Sequence, residues 1–293
     1  MKYVITGSLG HISKPLAENL IAKGHEVTII TSNHNNEQAI KILGAKPAVG
    51  WVQDVKFLNE TFKDNDAVYT MIPPKWDADD WKEWIGNIGK NYATSIRDAG
   101  IKYVVNLSSV GAHMADGCGP VSGLHRAEEA LNALAGVNIK HLRPAYFYQN
   151  LLAQIGLIKS AGIMGGNFGA DTCPIVHPED IAKVATEELL NLSFTGHSVR
   201  YIAGDEVTGE KIATTLGDAI KKDSLPWVVF SDEQNLEGML QAGLSEEVAK
   251  NYTEMGKAMR TGEMNEDYNK NKPALSTIKL TDFAKEFAAA FNS

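Results

Sequence analysis

The chain has 293 residues, of which 44% are hydrophobic and 22% are charged, and this composition excludes an intrinsically disordered protein. Its 28 basic and 36 acidic side chains give a formal net charge of −8, and no cluster of Lys and Arg is present that would bind nucleic acid. No apolar segment is long enough to span a membrane, and Cys118 and Cys173 lie far apart, without the spacing of a metal site. We therefore expect a globular protein of the cytoplasm whose partners are neither nucleic acids nor membranes.

The amino-terminal segment has the pattern of a βαβ unit. Residues 3–5 form a short apolar run that predicts a buried strand, and residues 27–30 predict a second one. Between them, Ile12, Leu16 and Leu20 recur at every fourth position and form one apolar face of a helix. A strand, a helix and a second strand in this order predict two parallel strands joined by a right-handed crossover.

The alternation of strands and helices continues along the chain. Further strands are predicted over residues 47–49, 67–72, 103–107, 139–142, 199–203 and 227–230. Further helices are predicted over residues 36–43, 57–62, 80–99, 122–135 and 178–192, and a last one follows residues 280–282. This order predicts an α/β fold with a doubly wound parallel Rossmann sheet and a smaller C-terminal substrate lobe. We assign residues 1–150, with a return segment at about 175–203, to the Rossmann domain, and residues 151–174 and 204–293 to the substrate lobe and the C-terminal helices.

The turn after the first strand has the glycine spacing of a diphosphate-binding site. Gly7 and Gly10 are three residues apart, directly after the strand and before the helix, and Ser13 supplies a third small residue. The diphosphate of a dinucleotide must approach backbone N–H groups at a helix N-terminus, and glycines remove side chains from its path. A tight turn that binds nothing is the alternative, but the position within a βαβ unit favours diphosphate binding. The predicted contacts are Gly7, Ser8, Leu9, Gly10, His11 and Ile12.

The residues after the second strand bear on the choice between NAD and NADP. An Asp or Glu at this place would bind the ribose 2′-hydroxyl of NAD and repel the 2′-phosphate of NADP. Here Ser32 and Asn33 lie in a neutral segment that contains neither an acid nor an arginine. This pattern favours NADP as the cofactor, with NAD as the alternative.

Several motifs together resemble the NmrA-like branch of the atypical short-chain dehydrogenases/reductases. The resemblance rests on residues 4–10, 66–69, 107–111, 125–131, 142–150 and 176–182. It implies that NAD(P) binds along the carboxyl end of the sheet, with the nicotinamide near residues 144–147. The further cofactor contacts that it implies are Ser32, Asn33, Trp51, Val52, Met71, Ile72, Pro73, Leu107, Ser108 and Pro144. Members of this family are similar either to quinone and small-carbonyl reductases or to redox-sensing regulators.

Four tryptophans lie near the expected cofactor and substrate sites. Trp51 departs from the family pattern, since relatives usually carry an acid there that contacts adenine. Its indole could stack on adenine or belong to the core, and the sequence favours the core. Trp76, Trp81 and Trp84 could cover the substrate pocket, although Trp81 also matches the apolar stripe of its helix.

A second departure concerns the Tyr-x-x-x-Lys pair with which the wider superfamily protonates a carbonyl oxygen. The matching positions are Leu124 and Glu128, so we do not expect tyrosine-assisted ketone reduction at this site. A quinone can take its proton from water or from a nearby weak acid, and it is therefore the better-suited acceptor. The candidate donors are His113, His125, Tyr146 and Tyr148, although each of these residues is more often a packing residue.

Together these patterns predict an NAD(P)H-dependent oxidoreductase that transfers a hydride to a quinone or a similar conjugated carbonyl. The alternative is a protein that binds NAD(P) without turnover and acts as a redox sensor through a protein partner. An epimerase is disfavoured, because such enzymes normally use the missing Tyr–Lys pair. We expect a small-molecule substrate and no metal, since His125 and Glu128 have no third ligand beside them, and homodimer formation is left open.

Overall fold

Twelve strands and twelve α-helices alternate along the chain in a computed structural model that describes all of residues 1–293. The strands are β1 (Lys2–Ile5), β2 (Glu26–Thr31), β3 (Lys46–Val49), β4 (Ala67–Thr70), β5 (Tyr103–Leu107), β6 (Asn138–Pro144), β7 (Tyr146–Phe147), β8 (Met164–Gly166), β9 (Cys173–Val176), β10 (His197–Ile202), β11 (Asp205–Val207) and β12 (Trp227–Val229). The helices are α1 (Ser13–Ala22), α2 (Glu37–Ile42), α3 (Val55–Phe62), α4 (Trp81–Ala99), α5 (Pro120–Asn132), α6 (Gln154–Ala161), α7 (Pro178–Asn191), α8 (Gly209–Ala219), α9 (Asp232–Gln241), α10 (Glu246–Thr261), α11 (Glu266–Lys270) and α12 (Leu280–Asn292).

Seven of the strands form one parallel sheet, in the order β10-β6-β5-β4-β1-β2-β3. β1 lies between β2 and β4, so the direction in which successive strands are added reverses there. At such a switch point the loops after neighbouring strands turn to opposite faces and leave a crevice, where open α/β sheets bind their ligands. The predicted doubly wound Rossmann sheet is confirmed.

Helices cover both faces of the sheet, as the uninterrupted apolar strands predict. Tyr3 and Ile5 belong to a core that also contains Leu16 of α1 and Ile181 of α7. Val4, which alternates with them, packs instead with the apolar side chains of α3, α4 and α5. Each strand thus contributes to two cores, and the sheet that carries the switch point is fixed from both sides.

The carboxyl-terminal half adds two small sheets to this framework. β7, β9 and β11 form a three-stranded sheet, and β8 pairs with β12. α7 packs on α1, β10 joins the edge of the main sheet, and α12 packs on α8. The larger core extends from Tyr3 to Phe283 and Phe287, so the added segments and the Rossmann layers share one interior. None of the helices combines the length and the apolarity that a bilayer crossing requires.

Two element boundaries differ from the sequence prediction for local reasons. The strand predicted over residues 67–72 ends at Thr70, because side chains bind both backbone groups of Met71. Its N–H donates to Thr6 Oγ1 (2.7 Å), and its carbonyl accepts from the Tyr92 hydroxyl (2.7 Å). The helix predicted over residues 122–135 begins at Pro120 and ends at Asn132. It can begin at Pro120 because proline fits a first helical turn, where its missing N–H has no partner to lose.

Candidate functional site

The turn between β1 and α1 has a backbone that only small residues allow. Gly7 has a φ of +91°, and a Cβ atom there would lie 2.5 Å from Ser13 Oγ and 2.8 Å from Met71 Cγ. Ser8 also has a positive φ, of 55°. The Ser13 hydroxyl donates to the carbonyl of Thr6 (2.8 Å) and joins the first helical turn to the end of β1. Gly7 is therefore a steric requirement of this turn.

The amino end of α1 leaves its backbone N–H groups open. α1 has no side-chain cap and no acidic residue in its first turn. By contrast, Asp54 caps α3 and Asp80 caps α4, each through its carboxylate. The N–H groups at this turn that donate to no acceptor within the protein are those of Gly7, Leu9, His11, Ile12 and Ser13. Open donors at the positive end of a helix dipole fit an anionic ligand such as a diphosphate.

Polar side chains fix the end of β2 beside this turn. The Ser8 hydroxyl donates to Thr31 Oγ1 (2.9 Å), and the Asn36 amide donates to Ser8 Oγ (2.9 Å). Ser32 and Asn33 are exposed in the loop that this cluster anchors. The anchored loop presents hydroxyl and amide groups and no carboxylate next to the open amides.

The structure contradicts the assignment of Trp51 to the core. Its side chain is 62% exposed, whereas the next residue, Val52, is buried. Residues 51–54 form a turn in which the N–H of Asp54 donates to the carbonyl of Trp51 (3.0 Å), and Val52 takes the inward position there. The indole therefore lies on the surface at the end of β3, where a ring can stack on it.

The loops after β4, β5 and β6 continue the same edge of the sheet. Ile72 and Pro73 are half-buried after β4. The backbone N–H of Ser108 donates to the carbonyl of Leu142 (2.8 Å), and that of Val110 donates to the carbonyl of Pro144 (2.9 Å), so the ends of β5 and β6 are tied together. The Ser108 hydroxyl is buried and has no partner in the protein. A buried hydroxyl without a partner at the mouth of a crevice fits a ligand that supplies one.

All the predicted cofactor contacts therefore lie along one edge of the parallel sheet. They follow β1, β2, β3, β4 and β5 or lie at the end of β6: Gly7, Ser8, Leu9, Gly10, His11, Ile12, Ser32, Asn33, Trp51, Val52, Met71, Ile72, Pro73, Leu107, Ser108 and Pro144. The open amides follow β1, within this edge, and the unpaired Ser108 hydroxyl follows β5, and both fit a dinucleotide that lies along the edge.

The structure contradicts Tyr148 as a proton donor. Its side chain is completely buried, and its ring stacks on Phe283 of α12 at 5.5 Å between centroids. Its hydroxyl donates to the carboxylate of Asp205 (2.9 Å). Burial, followed by the charge of Asp205, raises the pKa of Tyr148. Tyr148 thus belongs to the packing between the main sheet and the last helix.

The two candidate histidines have different surroundings. Nδ1 of His125 lies 2.9 Å from the carbonyl of Ala112, so this ring supports the loop after β5. Nδ1 of His113 is buried without a partner, and the ring lies within electrostatic reach of Glu266 in α11. No hydrogen bond joins His113 to Ser108 or Tyr146.

Tyr146 lies two residues after the end of β6 and has an unpaired hydroxyl. β7 holds it beside Ile175 of β9, and its ring lies 5.7 Å from that of Phe168. Its hydroxyl makes no hydrogen bond within the protein. The hydroxyl oxygen is not fully enclosed by protein atoms, so it faces open space. Burial of the ring, followed by nearby Tyr252, raises the pKa of Tyr146, which keeps the hydroxyl protonated.

The positions that match the superfamily's Tyr–Lys pair have structural contacts. Leu124 packs against the apolar group formed around Trp81 in α4. Glu128 is buried and forms a two-point ion pair with Arg143 of β6, at 3.0 and 2.6 Å. Arg143 also contacts Asp267 of α11 (3.2 Å). This network, which was not predicted, ties α5, β6 and α11 together.

Sequence reasoning also missed how the C-terminal segments reach the cleft. Three aromatic rings lie close together there, with centroids 5.3 to 6.1 Å apart: Trp76, Trp81 and Tyr252. Trp76 and Trp81 were candidates for a pocket cover, and Trp81 is buried as its helical stripe predicts. Tyr252 lies on α10, where the family resemblance is loosest, and no motif marks it.

A cavity lies away from the loops that carry these open polar groups. It measures about 880 Å³ and is lined by β10 and by residues between 267 and 276. Its main charged groups already have partners: Arg200 pairs with Glu188 (2.7 Å) and Lys272 with Glu206 (2.7 Å). We therefore place the functional site at the carboxyl edge, where polar groups are left open, and not at this cavity.

Comparison with known proteins identifies the family of the chain. The sequence profile of a family described as NAD(P)H-binding matches residues 7–191, more than half of the chain. A (4-alkanoyl-5-oxo-2,5-dihydrofuran-3-yl)methyl phosphate reductase of Streptomyces griseus is 24% identical over 200 residues. That match spans 68% of this chain and 66% of the reductase, slightly less than two thirds of the relative's length.

Several solved structures share the fold over nearly the whole chain. An NADPH-dependent quinone oxidoreductase of Escherichia coli, complexed with NADPH, has a TM-score of 0.82 at 17% identity and covers 97% of this chain and 99% of its own. A triphenylmethane reductase of a Citrobacter species, complexed with NADP(H), has a TM-score of 0.78 at 18% identity over 97% and 100% of the two chains. A nucleoside-diphosphate-sugar epimerase of Staphylococcus aureus has a TM-score of 0.78 at 16% identity, with the same coverage. The chain has the Rossmann fold that its NmrA-like motifs imply. It therefore belongs to the NAD(P)H-binding family and has NAD(P)H as its cofactor.

Proposed function

We propose that this protein is an NAD(P)H-dependent reductase that transfers a hydride to a quinone or a similar conjugated carbonyl. The observation that carries the proposal is the continuous carboxyl edge of the sheet. Open amides at α1 follow β1, and the unpaired hydroxyls of Ser108 and Tyr146 follow β5 and β6, on one side of these amides. The similarity to reductases, including a quinone oxidoreductase with a matching fold, supports it.

The cofactor would lie along this edge with its diphosphate on the open amides of the β1–α1 turn. Trp51 would stack on the adenine, since its indole is exposed at the end of β3. Ser32 and Asn33 would face the adenosine ribose. Because this loop carries no carboxylate, a 2′-phosphate meets no like charge there, and we propose NADPH as the preferred form.

The chain's own groups then orient the acceptor. When bound, the cofactor supplies a hydride. The Ser108 hydroxyl would face the nicotinamide ribose or ring, and the Tyr146 hydroxyl would donate a hydrogen bond to an oxygen of the acceptor. Leu124 and Glu128 supply no phenol and no ammonium group, and the carboxylate of Glu128 is already paired with Arg143. An acceptor that gains aromaticity on reduction depends less on such a pair than a simple ketone does.

The proposal is tested by steady-state oxidation of NADPH with a panel of benzoquinones and naphthoquinones, next to calorimetric titration of NADPH. We expect saturable turnover with at least one quinone and weaker turnover with simple ketones. Tight binding of NADPH with no turnover of any conjugated carbonyl would overturn the reductase proposal. That result would instead favour a redox sensor that binds NAD(P) and acts through a partner.

A further inference from the structure

α10 approaches the cleft from outside the Rossmann layers. A Cβ atom at Gly119 would collide with the backbone carbonyl of Asn251 and lie 3.2 Å from Met255 Cβ. Gly119 immediately precedes α5 and has a φ of +55°, so only glycine allows this close approach. α10 is therefore held against the start of the helix on which the superfamily's tyrosine would lie.

Tyr252, the residue after Asn251, joins the apolar group next to that helix. Its ring lies 5.5 Å from that of Trp81 and 6.1 Å from that of Trp76. The same group includes Ile72, on the loop after β4, and Leu124, at the position that matches the superfamily's tyrosine. The ring of Tyr252 thus lies beside the place where a phenol is missing from α5.

The Tyr252 hydroxyl is free to bind a ligand. It makes no hydrogen bond within the protein. Its oxygen atom is not fully enclosed by protein atoms, so it faces open space. It also lies within electrostatic reach of Tyr146, whose hydroxyl is likewise free. Half-buried tyrosines normally find a hydrogen-bond partner, so two neighbouring free phenols mark a place where a polar ligand atom supplies one. Nε1 of the buried Trp81 is a further donor without a partner.

We propose that Tyr252, contributed by α10, donates the proton to the acceptor oxygen, while Tyr146 holds the acceptor from the opposite wall. The assignment rests on the reductase function proposed above. In the reaction, the hydride brings two electrons to the acceptor, and negative charge develops on its oxygen. The O–H bond of Tyr252 breaks, an O–H bond forms on the product, and the tyrosinate recovers its proton from water. The product is the two-electron, two-hydrogen reduced acceptor.

The surroundings of Tyr252 suit this role. Burial raises the pKa of Tyr252 to about 12, so the hydroxyl stays protonated at neutral pH and is ready to donate. As the hydride arrives, the charge that develops on the acceptor oxygen makes that oxygen a base to which a protonated phenol can donate. Trp76 and Trp81 beside it offer aromatic faces on which a flat acceptor can stack.

The test compares Tyr252→Phe with the wild type and with Tyr103→Phe as a matched control. Tyr103 begins β5 at the opposite end of the strand, and its hydroxyl has no partner either. With NADPH and 1,4-naphthoquinone, we expect kcat of Y252F to fall on the order of 100-fold, the usual size of a general-acid contribution. KM, the Kd for NADPH and the melting temperature should stay near wild type, because the ring and its packing remain. Y103F should match the wild type throughout.

A second acceptor separates proton donation from structural damage. A triarylmethyl cation takes up a hydride without needing a proton, so its reduction by Y252F should be slowed far less than that of the quinone. An unchanged kcat of Y252F with an active wild type would overturn the role of Tyr252 while the reductase function stands. A change in KM alone, or equal losses with both acceptors, would also overturn it. A wild type that binds NADPH but reduces neither acceptor would instead overturn the proposed function itself.

Discussion

Polar groups lack hydrogen-bond partners within the protein at the amino end of α1, whereas those in the interior beneath β4, β5 and β6 bind one another. At α1 and the turn before it, five N–H groups between Gly7 and Ser13 find no acceptor. Beneath the strands, Thr70 donates to Asn106 (2.9 Å), which contacts His141 (3.0 Å), which in turn contacts Asn132 of α5 (3.0 Å). Polar groups that form hydrogen bonds with one another have a structural role. Polar groups without a partner, in a protein where most others are paired, indicate where a ligand binds. The predictions below test this distinction from both sides.

The largest effect is expected where a scaffold charge loses its partner. Arg143→Met leaves the buried carboxylate of Glu128 unpaired, which costs about 3–5 kcal/mol of the free energy of unfolding. Urea denaturation of the variant measures this loss. The double variant Arg143→Met with Glu128→Leu should be more stable than the single one, because no buried charge remains. Equal stability of the single variant and the wild type would show that this network is not structural.

The next effect is a pH dependence that comes from His141. Burial lowers the pKa of His141 to about 4 in the folded chain, against 6.5 for an exposed imidazole. Above pH 6.5 both states are neutral, and His141 does not change stability. As the pH falls from 6.5 towards 4, the unfolded chain binds a proton that the folded chain does not, so the free energy of unfolding falls by up to about 3 kcal/mol.

Denaturation curves across this range test the His141 prediction. His141→Gln should remove most of the acid-dependent loss, whereas His11→Gln, which changes an exposed side chain at the ligand side, should retain it. The same acid-dependent slope in both variants would contradict the assignment.

On the ligand side, Gly10→Val tests the open amides. Gly10 is exposed, and a Cβ there would lie 3.1 Å from the carbonyl of Gly7, so the fold should persist with a small adjustment. The added side chain blocks the approach of the diphosphate, and we expect the Kd for NADPH to rise on the order of 100-fold, about 2.7 kcal/mol. Calorimetric titration measures it, with Gly238→Val on α9, where a Cβ meets nothing, as the control for the added valine. An unchanged Kd would refute the position of the diphosphate.

The smallest effect concerns the choice of cofactor. Ser32→Asp places a carboxylate next to the proposed 2′-phosphate, and we expect the ratio of NADH to NADPH affinity to rise about 10-fold through repulsion of NADPH. Ser32→Asn, which adds a side chain of the same size without charge, should leave the ratio unchanged. A ratio that does not move in S32D would show that the 2′-phosphate lies elsewhere.

The fold and the cofactor turn could be read from the sequence because their signals are local. Buried strands show as apolar runs, and Gly7 follows from a backbone with a positive φ and no room for a Cβ. The position of Trp51 could not be read, because its exposure depends on which of two neighbouring residues faces α3 and α4. Tyr148 was misjudged for a related reason, since the helix that buries it lies more than one hundred residues later.

The substrate side depends on contacts between distant segments. Tyr252 reaches the cleft only because α10 packs against Gly119, and neither residue carries a motif. Arg143 lies in a recognised stretch, yet its partners Glu128 and Asp267 come from two separate helices. Sites of this kind can be identified only from the folded structure, because their residues come from distant parts of the sequence.

A single-turnover experiment tests the central claim most directly. The protein is saturated with NADPH and mixed rapidly with 1,4-naphthoquinone, and NADPH oxidation is followed together with hydroquinone formation. The account predicts one hydroquinone per bound NADPH, at a rate that saturates with quinone and is lost in G10V. Oxidation of bound NADPH no faster than that of free NADPH, with every quinone tried, would contradict it.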